Sequence, residues 1–122
     1  MADNKQYVAQ IQENGSVMIS DVVLASIVAS SVVEVEGVVG LTSKSGSDFT
    51  DKLSRKNWRK AIKIVILEDD SVIVDCNVVV LYGQSVVDIA QAAQSVVRNA
   101  LESATGIKIK DVNINICGIV RQ

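Results

Sequence analysis

Two β-branched runs, AIKIVILE and VIVDCNVVVLY, meet across the short acidic turn DDS, and no other feature restricts the fold of this chain so strongly. Val and Ile are stiff at χ1 and suit a pleated surface, so the two runs are predicted to form an antiparallel hairpin. In the second run Asp75 and Asn77 share one face, while Val74, Cys76, Val78 and Val80 share the other. One face therefore calls for helices against it, and the other meets water at least near its start. The bias holds chain-wide. Twenty-two Val and thirteen Ile stand against six Leu, one Phe, one Trp and two Tyr, which makes the core aliphatic.

The flanking sequence supplies the helices. Ser20 and Asp21 offer N-cap chemistry to a helix running through Val23, Leu24, Ile27, Val28, Val32 and Val35, with Gly37 and Gly40 to end it. Ser85 and Asp88 form a capping box for a second helix. Its apolar positions Val86, Ile89, Ala90, Ala93, Val97, Ala100, Leu101 and Ala104 recur at three and four, and Gly106 stops it. Before the first helix, Asn14-Gly15 signals a turn into a short strand, and residues 1–12 are either flexible or hold a weak extra strand over Tyr7–Gln12. After the second helix, VNINICGIV alternates cleanly. The opposite parity of Ile107 and Ile109 predicts a bulge near Lys110-Asp111. Residues 42–51 are polar and read as a loop. The order β-α-β-β-α-β gives a two-layer α+β sandwich over a single domain, residues 1–122. Its two helices cover one face of a small mixed or antiparallel sheet.

Several chemistries fail on composition. With no His, a Ser-His-Asp or Cys-His nucleophile pair cannot be built, nor a His-containing metal site. Cys76 and Cys117 lie far apart in apolar segments and read as buried thiols. Gly83 sits between a strand and a helix, where phosphate loops occur. It is a single glycine without lysine, however, and the capping box already uses the helix N–H groups, so it reads as a corner. GVVG at 37–40 has the spacing of a nucleic-acid-clamping loop, but its valines favour burial and a helix stop. Glu34/Glu36 and Asp69/Asp70 read as solvated charge rather than paired acid–base groups. The expectation is a non-enzyme with no catalytic residues, cofactor or metal. VVLASIVASSVV, the longest uncharged stretch, is too short to span a bilayer, so no transmembrane segment is expected.

One charge pattern is less ordinary. Lys52, Arg55, Lys56, Arg59, Lys60 and Lys63 are spaced three, one, three, one and three, which is one stripe of a helix if the segment is helical. Trp58 lies beside them. The stripe holds six of the twelve cations, leaving six cations against fourteen acids, a net −8, on the rest of the chain. Two uses compete with plain solvation: contact with an acidic partner, copy or lipid surface, and nucleic-acid binding. The second is disfavoured because only one aromatic accompanies the charges and the remaining surface repels phosphate.

The chain also resembles the alkaline shock protein family, the general and envelope stress proteins of Gram-positive bacteria. The likeness rests on Gly-x-x-x-Ile-Ser (Gly15 to Ser20), Val35-Glu-Gly-Val38, Tyr82-Gly83, Gln94 and Val97, Thr105-Gly106, and Val112-Asn113-Ile114-x-Ile116-x-Gly118. It runs from about residue 13 nearly to the end, and order and spacing carry it rather than any one motif. Where the family usually has Val-Pro-Gly-Val, this chain has glutamate. The resemblance implies a cytoplasmic protein without catalytic residues to carry over. It further implies self-association and attachment to the inner face of the membrane through a protein partner.

Overall fold

The computed structural model describes residues 6–42 and 61–121. Strands β1 (Tyr7–Gln12) and β2 (Gly15–Ser20) form a two-stranded hairpin leading into α1 (Asp21–Val32). Then come β3 (Val38–Leu41), β4 (Ile62–Ile66), β5 (Val72–Leu81), α2 (Val86–Thr105) and β6 (Ile109–Val120). The α+β class stands, but the order carries more strands than β-α-β-β-α-β. The weak first strand exists, and its two-residue loop is Glu13-Asn14 rather than Asn14-Gly15.

β5 organises the second sheet. β6 runs parallel along its whole length. β4 pairs antiparallel with Val72–Cys76 and β3 with Val78–Val80, so these two short strands share the other edge end to end. The sheet is mixed. Val72, Val74, Cys76, Val78 and Val80 are fully buried on the face that α1 and α2 cover. α2 contributes Ile89, Ala93, Val97 and Leu101 at steps of four, which is one stripe of a helix.

The caps behave as the sequence predicts. The Ser20 hydroxyl accepts from Val23 N–H and that of Ser85 from Asp88 N–H, both at 3.3 Å. Gly106 takes the left-handed conformation, φ 71°, and donates to the Glu102 carbonyl. The predicted bulge is present, because Lys110 falls between partners of Val72 and Ile73. A second bulge at Cys117 escaped the sequence reading.

Two expectations fail. Helix α1 ends at Val32, so Val35 is buried beyond it rather than on it. Gly40 ends no helix; it lies in β3, buried opposite Val79. The outward face of β5, expected to meet water at least near its start, is half-buried at Ile73 and Asp75 and closes further along. Asn77 and Val79 are 7% and 2% exposed, so that face does not stay wet along its length.

Candidate functional site

The predicted basic stripe does not survive as a unit. Lys52, Arg55, Lys56, Trp58, Arg59 and Lys60 lie outside the described residues. Lys63 is exposed, but it stands on strand β4 rather than on a helix. There it sits opposite Asp75, on the sheet face turned away from α1 and α2. Ile62, Ile64 and Ile66 alternate with it, and that period of two fixes its direction.

Around Lys63 the sheet builds a polar row. Asn113 pairs with Asp75 and Asn115 with Asn77 in the β5–β6 register. The Asn115 amide donates to Asp75 Oδ1 at 2.5 Å and to Asn77 Oδ1 at 2.9 Å. These bonds satisfy the acceptors of Asp75 and of buried Asn77 and tie β6 to β5. No three Cys, Asp or Glu side chains converge among the described residues.

The turn carboxylates have local work. Asp69 accepts from the Ser71 hydroxyl at 2.6 Å and from its N–H at 3.1 Å, and these bonds hold its carboxyl below the ordinary 3.8. A folded value below the unfolded one contributes stability above the unfolded pKa, and that contribution is lost as pH falls through the folded one. NMR titration should place the Asp69 midpoint below 3.8, and Ser71→Ala should raise it. Burial pushes the Cys76 thiol up to about 12, with Asp75 and Cys117 adding to the rise. Cys76 should therefore resist alkylation at about pH 8 until the chain unfolds, as read by peptide mass spectrometry.

Gly83 is the corner that the sequence suggested. Its φ is 105°, and Ser85 caps the following helix. Gly37, also positive at φ 97°, turns the chain from α1 into β3. The Val35-Glu-Gly-Val38 motif thus belongs to a strand entry, with Glu36 exposed. The model of the alkaline shock protein family, described as having a cell envelope-related function, matches residues 9–121.

This chain belongs to the alkaline shock protein family. The resemblance drawn from the sequence motifs is therefore correct. Among its relatives, the uncharacterized protein Spy1614 of Streptococcus pyogenes serotype M6 is 32% identical over 88% of this chain and 89% of its own length. The uncharacterized protein YqhY of Bacillus subtilis is 30% identical over 86% and 77%, respectively. Another from the same organism, YloU, is 26% identical over 86% and 88%. No solved structure matches.

What this alkaline-shock-family fold does display is apolar surface. In the β1–β2 register, Tyr7, Ala9 and Ile11 share a face with Met18. Ile11 is 89% and Met18 60% exposed. Helix α1 adds Val22 and Val23, and its C-cap adds Val33. Between α1 and α2 lies an open groove of about 530 Å³, lined by Val23, Ile27, Ala100, Ala104, serines and Glu34. The helical period placed Val23 and Ile27 on one helix without showing which side faces out; Val23 is exposed, while Ile27 packs partly against the core. No helix among the described residues is long and apolar enough to cross a membrane.

Proposed function

We propose that this alkaline-shock-family chain is a non-enzymatic scaffold or adaptor of the cell envelope. In this reading it binds copies of itself and a protein partner that is tied to the cytoplasmic face of the membrane or belongs to envelope metabolism. The outward face of the β1–β2 hairpin carries the argument, as the surface offered to the protein partner rather than to another copy. A two-stranded ribbon is marginal on its own, and Tyr7, Ile11 and Met18 face water on one side of it. Contiguous exposed apolar side chains of this kind mark surfaces that other proteins cover. The envelope-related family supports the same reading.

Sedimentation over a wide concentration range, with crosslinking and mass spectrometry in the native cell, tests it. Concentration-dependent association and a recovered envelope protein are expected. A strict monomer with no partner ends the proposal. A nucleotide or acyl chain carried by the purified protein in native mass spectrometry would overturn its non-enzymatic part.

A further inference from the structure

Strand β6 has a strand partner on one edge only among the described residues. Part of its other edge is guarded from helix α2. Arg98 donates to the carbonyls of Ile109 at 2.5 Å and Lys110 at 3.4 Å, and Gln94 donates to that of Val112 at 3.0 Å. Side chains that occupy edge carbonyls prevent another strand from pairing there. Gln94 and Arg98 are four residues apart, on one helix face. One turn earlier that face carries Ala90, whose methyl cannot reach a carbonyl. The guard stops.

Beyond it, no described strand pairs with this edge. Val112 turns its carbonyl outward, so alternation turns the N–H and C=O of Ile114 and Ile116 the same way. After the bulge at Cys117, Val120 accepts from Tyr82 N–H and so points to β5. Ile119 therefore points outward again. The side chains of Ile114, Ile116 and Ile119 lie in register with Cys76, Val78 and Val80 and share one face. Ile119 is 53% exposed, and the other two are half-buried.

We propose that this open half of β6 pairs antiparallel with the same segment of a second copy, about a two-fold axis at Ile116. The inference rests on the self-association read above and names where it occurs. The segment is complementary to itself. Ile116 meets Ile116, Ile114 of each copy meets Ile119 of the other, and residues 112–120 carry no charge. Arg121 of one copy arrives opposite Val112, beside Asp111 of the other, and Lys110 is bulged out of the ladder. A two-fold antiparallel contact closes as a dimer, and β6 ceases to be an edge.

Sedimentation equilibrium of the full chain, with Ile119→Lys and with Ile11→Lys as a control on the hairpin, decides the matter. Both positions are exposed, so circular dichroism should show parental folding. Ile119→Lys is expected to raise the dimer dissociation constant about tenfold or more, and Ile11→Lys to leave it unchanged. Amide exchange at Ile114, Ile116 and Ile119 should slow as the parent is concentrated. Association lost only in Ile11→Lys, or association in both variants with no protection at these amides, overturns the edge assignment while leaving self-association standing. A parent that stays monomeric throughout removes self-association itself, and this inference with it.

Discussion

Gly37→Ala is expected to lower the unfolding free energy by about 2–4 kcal/mol, summing left-handed backbone strain and overpacking. The backbone there holds φ at 97°, where a side chain is strained whatever the space. A Cβ would also stand 2.7 Å from Ile89 Cδ1 and 2.8 Å from Gln84 Oε1. Gln84 is exposed and can move, but Ile89 is only 4% exposed and has nowhere to go. Nor can the backbone shift freely, because the Gly37 carbonyl accepts the Leu81 N–H at 2.8 Å. Gly83→Ala separates the two causes. Its φ is 105°, yet nothing lies within 4 Å of a Cβ there, so only the strain of about 1–2 kcal/mol should appear. Denaturant melts of both variants check the comparison; equal losses would remove the clash from the account.

Gly37 also shows how far local pattern carried. Its position was legible as a break, but what followed was not. Val38 and Val39 continue the apolar run of α1, and four residues of strand, Val38–Leu41, are too few to display a period of two. The hairpin β4–β5, both N-caps and the Lys110 bulge were legible because each is written within a dozen residues. Strand neighbourhood is not written that way. That β3 and β4 share one edge of β5 depends on contacts across the chain, and only the assembled sheet displays it.

The site divides on the same line. Lys63 joined the predicted cationic stripe because its spacing of three from Lys60 fits a helix. The alternation of Ile62, Ile64 and Ile66 around it was the competing signal, and the sheet decided in its favour. The guard formed by Gln94 and Arg98 could not be read at all from their helical positions. Neither is among the apolar positions that define the helix, and their carbonyl partners show only once β6 is placed beneath them. Gly118 was the available clue to the second bulge, since glycine inside a strand often marks one.

Leu101→Ala should have the largest effect on stability, about 3–5 kcal/mol, as for other fully buried leucines that leave a cavity. Leu101 is 0% exposed and ends the buried row Ile89, Ala93, Val97, Leu101 of α2. Collapse into the void is resisted locally. The next residues of the chain are pinned where Thr105 Oγ1 donates to the Leu101 carbonyl at 2.6 Å and accepts from Ile107 N–H at 3.2 Å. Gln10 adds a bond from the hairpin to the Thr105 carbonyl at 2.5 Å. For a domain of this size the thermal midpoint should fall by roughly 10–20 °C. Calorimetry measures that directly, and a fall of only a few degrees would mean that α2 relaxes into the space. The same variant separates stability from association. Leu101 lies inside the core, not on the open edge of β6, so well below its new midpoint Leu101→Ala should sediment like the parent, whereas Ile119→Lys should keep the parental midpoint and lose the dimer.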